Sequence, residues 1–473
     1  NWSLQGFYRQ IKTIGEENVP KEGPVIACST HSNMIVDPAI LAYTFPHKRK
    51  VHFWAKNSLF KNPHVAKILK SSGVVPVDRT TKNNKTLFAS TFEVLKLGEV
   101  VAVFPEGTSH SGSKLLDLKD GASWAALEYA KCIYEPSGSD DDSCDAKQQT
   151  APAPVVICPL GITYVQKSKY RSLVVAEYGP PIDVTQYLED FLKDARTTVK
   201  RLTKHIEAEM FKLTINASDW EIMKAAVMSR QLLFSDDRDV ALEDFVKITQ
   251  CLVNFYSTDS ADNLDKLKSR LNQYKTTLDD LSLSDSDIAR YQERDINIPG
   301  AGYTLFAHVL KCIIQLPFFL PGLAFHWPIY VMGKLSAKYE KYEESRAQNK
   351  ILLGLLWLIL SYTIMFFAVW LLLFFTPLGV VLAGAVVFIF AWYHVILVDS
   401  HYDTFKDVIS SYRLLAALAS GKGSKPHEQV EGLVQARRQC LHDLSNVCDK
   451  YASKSDDLRY VMDYYNRVRS EKL

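Results

Sequence analysis

The sequence predicts an α/β domain, a central mixed sheet flanked by helices, followed by a helical subdomain and a C-terminal transmembrane helical hairpin. Three observations carry this prediction. Short β-rich apolar runs alternate with helical stretches over residues 1–184, residues 185–300 are helical in pattern and heavily charged, and residues 351–398 are almost free of charge.

In the first region VIACST, VHFWA, GVVPV, VVAVF, VVICPLGITYV and SLVVAEYG read as strands, with helical patterns over 82–97 and 121–134 between them. Alternation of this kind lays helices against a sheet. EPSGSDDDSCDAKQQTAPAP, residues 135–154, is polar, acidic and proline-bearing, and reads as a mobile surface loop. Between 185 and 300, runs such as DFLKDARTTVKRLTKHIEAEMFKL read as the solvated faces of a helical subdomain. Residues 351–375 carry no charge, and a hydrocarbon core of about 30 Å needs roughly 20 such residues. After TPLG comes a second apolar stretch, 380–398, which holds His394 and no Asp, Glu, Lys or Arg. So short a breaker sends the second helix straight back.

Lys334, Lys338, Lys341, Arg346 and Lys350 precede this hairpin and Lys406 and Arg413 follow it, so both flanks are expected in the cytosol. Residues 301–333 are also apolar, but Pro317, Pro321 and Pro328 interrupt them and Lys311 sits among them. This segment reads as interfacial or re-entrant. Residues 399–473 read as a cytosolic helical region. On that side the sequon Asn216-Ala217-Ser218 is expected to stay unused. The chain does not begin with Met and is expected to be a portion of something longer.

Lys and Arg total 55 against 53 Asp and Glu, which lacks the basic excess of a nucleic-acid binder. Eight cysteines are scattered without a C-x-x-C pair, a pattern of reduced thiols rather than of disulfides or a zinc site.

Four stretches carry candidate chemistry. In THSNMIVDP, His31 lies just beyond a buried strand, where α/β folds open their ligand crevice. A neutral imidazole there can take a proton from a hydroxyl, and Asp37 at its other nitrogen would fix the tautomer. Asp37 also suits a helix N-cap with Pro38 as the first helical residue, and that alternative stays open. In SSGVVPVDRTT, Arg79 follows a β-rich run and can grip a phosphate with two parallel hydrogen bonds. In FPEGTSHSGSKLLDLKDGA, Gly107 permits a tight turn beside a ligand, Glu106, Thr108, Ser109 and His110 present polar groups, and Lys114 and Lys119 add positive charge. In VVICPLGITYV, Pro159 and Gly161 mark a bulge or a close backbone approach.

The order and spacing of these blocks resemble the glycerolipid acyltransferase family. FPEGTSHSGSKLLDLKDGA, KYRSLVVAEYGPPI and LTINASDW look like its fungal-type branch, which acylates glycerol-3-phosphate or dihydroxyacetone phosphate, as does the C-terminal hairpin. One departure stands out: the usual box has four residues between His and Asp, and five separate His31 from Asp37. The extra residue adds about 100° in a regular helix, so the pair can meet only across an irregular turn, which Pro38 favours by biasing Asp37 away from helical geometry.

The resemblance implies a multi-pass protein of the endoplasmic reticulum membrane with its site facing the cytosol. Acyl-CoA would be the co-substrate, with no metal or other cofactor. It further implies His31 as base, Asp37 as its orienter and Arg79 at the acceptor phosphate. Glu106, Gly107, Thr108, Ser109 and His110 would line the acceptor side, and Lys114 and Lys119 would meet acceptor or coenzyme A phosphates. A lysophospholipid acyltransferase and a catalytically silent membrane scaffold are the rivals. Oligomeric state stays open.

Overall fold

Short, largely apolar strands, the central ones buried on both faces, build the sheet that the alternation predicts. The structure, a computed structural model, describes residues 2–472 apart from 78–83, 135–153, 235–239, 259–261, 282, 294–297 and 420–424. The expected loop at 135–154 falls almost wholly outside the described residues.

The strands are β1 (Gln10–Ile14), β2 (Val25–Ser29), β3 (Val51–Lys56), β4 (Val74–Val77), β5 (Val100–Val103), β6 (Val156–Tyr164), β7 (Leu173–Tyr178) and β8 (Ile182–Asp183). They form one mixed sheet in the order β1-β7-β6-β2-β5-β3-β4, with β8 beside β6. β2 pairs in parallel with both β5 and β6, whereas β6 runs antiparallel to β7. The six predicted strands are present. β1 and β8 are additional, the first a half-exposed strand at the sheet edge and the second only two residues long.

Seven helices accompany the sheet: α1 (Trp2–Phe7), α2 (Val36–Thr44), α3 (Pro63–Ser71), α4 (Asn84–Lys96), α5 (Gly121–Tyr134), α6 (Leu188–Lys193) and α7 (Ala195–Lys212). Ile26, Val101 and Ile157 are cross-strand partners. They share one sheet face. There they pack with Phe88 and Leu95 of α4, Leu127 of α5 and Leu202 and Met210 of α7.

This packing moves the expected domain boundary. Residues 1–215, together with 342–348, form one compact unit, so α6 and α7 belong to the α/β domain and not to a helical subdomain starting at 185. Val199, Leu202, Ile206 and Met210 recur at helical spacing and are buried beneath the charged face that the sequence displays. Each contributes roughly 1.5–3 kcal/mol by leaving water, far more than exposed charge pairs return.

The second unit, residues 216–341 and 349–473, is helical. Its elements are α8 (Trp220–Leu233), α9 (Leu242–Thr258), α10 (Asp262–Asp280), α11 (Asp285–Glu293), α12 (Ile298–Tyr339), the greater part of α13 (Glu343–Leu372), α14 (Pro377–Ala419), α15 (Lys425–Tyr451) and α16 (Asp456–Lys472). The buried Asp285 accepts from Tyr274 (2.8 Å) and from Arg437 Nε (3.0 Å), joining α10, α11 and α15. Asn216 and Ala217 of the sequon are both buried.

Among the described residues, three helical segments are long and apolar enough to cross a membrane: Ile298–Phe318, Glu343–Leu372 and Pro377–Ile396. The last two match the predicted hairpin, although its breaker is Leu373 to Thr376 and Pro377 already opens α14. The expectation that prolines interrupt the 301–333 segment is not met, since α12 runs unbroken through Pro317, Pro321 and Pro328. A proline removes the donor that would reach the carbonyl four residues before it, and side chains of neighbouring helices bond carbonyls one residue further along. The carbonyl of Phe318, three residues before Pro321, accepts from the Tyr393 hydroxyl (2.8 Å). That of Phe325, three before Pro328, accepts from Trp357 Nε1 (3.3 Å).

Gly161 makes the close approach that its place in β6 predicts, because a Cβ there would lie 2.2 Å from the carbonyl oxygen of Leu213 at the end of α7. Gly161→Ala is therefore expected to destabilise the protein by about 1–3 kcal/mol through overpacking. Thermal unfolding of the detergent-purified protein measures this, and an unchanged midpoint would mean that α7 yields without cost.

Candidate active site

The C-terminal ends of the parallel strands β2, β5 and β6 converge on one cluster of polar side chains. At the end of β2, Thr30 is pinned to β6, its hydroxyl accepting from Ile162 N (2.9 Å) and its own N donating to Leu160 O (3.2 Å). His31 follows, and its Nδ1 lies 3.0 Å from Asp37 Oδ2.

Asp37 is completely buried. Its Oδ2 also accepts from the backbone N of Ser32 (2.7 Å) and of Asn33 (2.6 Å), and its Oδ1 accepts from the Tyr164 hydroxyl (2.6 Å). An ionised carboxylate can only accept, so Nδ1 of His31 carries the hydrogen and Nε2 keeps its lone pair. The imidazole stacks on Phe104 at 4.3 Å and its side chain remains 18% exposed. That is the state a general base needs: oriented from behind and open in front.

The extra residue between His31 and Asp37 is absorbed at Met34, whose φ of 41° lies in the left-handed region. Asp37 does not stand at the N-cap, and its carboxylate lies against His31 Nδ1. α2 begins at Val36 with Ile35 as its N-cap, so Asp37 is itself helical and Pro38 sits in the first turn, where a backbone N–H is not needed. The expected bias of Pro38 against helical geometry at Asp37 gives way to the four hydrogen bonds that fix the carboxylate.

A second buried carboxylate, Glu106, lies beyond β5. Its Oε1 accepts from His31 N (2.8 Å) and its Oε2 from Leu116 N (3.2 Å), and the same Oε2 pairs with His110 Nε2. His110 Nδ1 accepts from Gly112 N (2.9 Å), and His110 N donates to His31 O (3.1 Å). Both ring nitrogens of His110 are thus engaged within the loop, and Glu106 faces inward. These two residues hold the loop after β5 against the backbone of His31.

Gly107 turns with φ 75°, and a Cβ there would lie 2.5 Å from Lys119 Nζ, so the glycine makes room for that lysine. Thr108 is exposed, and the Ser109 hydroxyl lies 2.8 Å from Met34 Sδ. Lys114 and Lys119 are exposed on the same loop, and neither forms an ion pair among the described residues. Arg79 lies outside the described residues.

Several neighbours escaped sequence reasoning. Burial, then the Asp37 and Tyr8 charges, raise the Tyr164 pKa well above 10, which keeps the hydroxyl a donor. Lys167 donates to Ser111 Oγ (3.2 Å), and that hydroxyl donates to Glu344 Oε2 (3.1 Å). Burial lowers the Lys167 pKa below 10.5, against the attraction of Glu343, Asp37, Glu344 and Glu106. Ile35 N donates to Gln348 Oε1 (3.3 Å). Residues 342–348, which open α13, therefore hold the loops after β2 and β5 alike. The available signal was position: Tyr164 ends β6, the strand beside β2, and Lys167 follows it, where open α/β sheets gather their ligand contacts.

Residues 10–163 match the acyltransferase family, and residues 225–455 match the glycerol-3-phosphate acyltransferase 2 C-terminal domain. Glycerol-3-phosphate O-acyltransferase 2 of Saccharomyces cerevisiae is 27% identical over 269 residues, which cover 56% of this chain and 33% of that protein. Glycerol-3-phosphate O-acyltransferase 1 of the same yeast is 22% identical over 424 residues, 69% of this chain and 53% of that protein. The 1-acyl-sn-glycerol-3-phosphate acyltransferase of Bacillus subtilis is 34% identical over 113 residues, 24% of this chain and 54% of that protein. The chain thus spans between a third and about half the length of these relatives. The two matched segments are thus similar to an acyltransferase domain and, after it, to a glycerol-3-phosphate acyltransferase 2 C-terminal domain.

Two outcomes test the electrostatics. Tyr164→Phe strips one donor from a buried carboxylate and is expected to cost about 1–3 kcal/mol in chemical denaturation. For Lys167 the folded pKa lies below the unfolded 10.5, so between those values the unfolded chain binds more protons and stability rises with pH. The stability difference between wild type and Lys167→Met should move in favour of the wild type as pH climbs through that window, and a flat difference would contradict the assignment.

Proposed function

We propose that this chain, joining a glycerolipid acyltransferase domain to the fungal-type C-terminal domain, transfers a fatty acyl group from acyl-CoA to glycerol-3-phosphate or dihydroxyacetone phosphate. The observation that carries the reading is the His31 and Asp37 pair, 3.0 Å apart, with the Nε2 lone pair directed away from the carboxylate.

In this reading Nε2 accepts the proton of the sn-1 hydroxyl as its oxygen attacks the thioester carbonyl. The new C–O bond forms, the C–S bond breaks, and the imidazolium returns its proton to the leaving coenzyme A sulfur. Asp37 holds the ring and stabilises its transient positive charge. A thioester is already activated, so the reaction requires neither an acyl-enzyme nor a cofactor. Glu106 and His110 keep the loop after β5 seated on the backbone of His31. Arg79, Lys114, Lys119 and Lys167 are the cations available to the phosphates of acceptor and coenzyme A.

The apolar helices put the chain in a membrane. We place it in the endoplasmic reticulum with its site toward the cytosol, on the support of the lysines and arginines flanking α13 and α14. A second reading, 1-acylglycerol-3-phosphate as acceptor, is favoured by the likeness to the Bacillus subtilis protein. A silent scaffold is disfavoured, since an oriented base serves no structural purpose that a neutral side chain would not.

Coenzyme A release by purified protein in lipid bilayers, with each acceptor in turn, separates these readings. Transfer to glycerol-3-phosphate or dihydroxyacetone phosphate is expected. His31→Ala should lower it by a factor on the order of 10²–10⁴ while the thermal midpoint holds. Transfer to 1-acylglycerol-3-phosphate alone would establish the second reading, and full activity without His31 would refute both.

A further inference from the structure

Helix α3 links β3 to β4, yet none of its nine residues is buried. Its start is fixed locally, because the Asn62 side chain accepts from His64 N (3.0 Å) and Val65 N (3.4 Å). Such a cap stabilises a helix by about 1 kcal/mol, and it does nothing for the apolar side chains the helix leaves in water.

Those side chains are large and adjacent. Val65 is 41% exposed, Ile68 is 66% exposed, and Leu59 in the turn before α3 is 51% exposed. Val65 and Ile68 are three residues apart and share one helix face. Lys67 and Lys70 are likewise three apart and share another, with Lys56 and Lys61 nearby in the chain. All four lysines are exposed, and none forms an ion pair among the described residues. Residues 50–77 contain five lysines and no aspartate or glutamate.

A single exposed apolar residue needs no explanation, but an unburied amphipathic helix within an acid-free lysine cluster does. A soluble protein surface would answer the apolar side chains while leaving this concentration of one sign unexplained. An anionic lipid surface answers both. Apolar side chains enter the boundary between headgroups and acyl chains, and long lysine stems carry their ammonium groups back to the phosphates. The chain already carries helices able to cross a bilayer, so a lipid surface is always at hand.

We propose that α3 and the turn before it are a lipid-docking surface of the α/β domain. Leu59, Val65 and Ile68 insert into the headgroup region of an anionic leaflet, and Lys56, Lys61, Lys67 and Lys70 bind its phosphates. This assignment stands independently of the reaction that the site catalyses.

The test is photocrosslinking of the full chain, with Ile68 replaced by benzoylphenylalanine, reconstituted in phosphatidylcholine vesicles with or without phosphatidylserine. A covalent adduct to lipid is expected, formed more abundantly when phosphatidylserine is present. Adding Lys67→Glu and Lys70→Glu should cut the adduct about fivefold or more in the anionic vesicles and leave it unchanged in the neutral ones. A thermal midpoint equal to that of the wild type establishes that each variant is folded. Crosslinking to a second copy of the chain, absence of lipid adduct, or a yield indifferent to lipid charge would each overturn the proposal.

Discussion

A single buried carboxylate organises the α/β domain's chemistry. Asp37 has no exposed surface, and an ionised oxygen pair in such a place is costly unless every lone pair finds a donor. It receives donors from Ser32 N, Asn33 N, His31 Nδ1 and Tyr164 OH. Meeting that demand curls the segment after β2 into a left-handed turn at Met34, starts α2 at Val36 and ties both to the end of β6. The imidazole is oriented as one consequence of this arrangement.

Glu106 does for the loop after β5 what Asp37 does for the loop after β2. Each carboxylate accepts from backbone N–H groups, and each touches a histidine, yet the two histidines differ in freedom. His110 has both nitrogens committed, so it is a strut. His31 has one nitrogen committed and one lone pair to spare, on a ring stacked against Phe104. The half-buried Lys167 brings positive charge close to both carboxylates and to Glu343 and Glu344, which lowers the cost of keeping so much negative charge away from water.

Much of this was legible in the sequence, for identifiable reasons. Strands buried on both faces read as unbroken apolar runs between glycines and prolines, so β2 to β7 stood out, while the mixed polarity of QIKTI hid β1. His31 and Asp37 were visible as residues, but their contact depends on a positive φ at Met34 that no glycine announces. The hydrogen bonds that tie Glu106 and His110 to the backbone around His31 were not legible, because a carboxylate that receives a ligand and one that receives a backbone look alike in one dimension. The charged face of α7 concealed the stripe from Val199 to Met210 and drew the domain boundary too early. The three prolines of α12 suggested a break in one dimension, yet the helix runs through them, with Tyr393 and Trp357 bonding carbonyls beside Pro321 and Pro328 from α14 and α13.

Residues 342–348 fold with residues 1–215 although a long stretch of chain separates the two. Ser111 and Ile35 bond to Glu344 and Gln348, so the first turns of α13 are borrowed by the loops after β2 and β5. A chain truncated shortly before residue 342 would keep every strand of the sheet and lose the struts that complete those two loops.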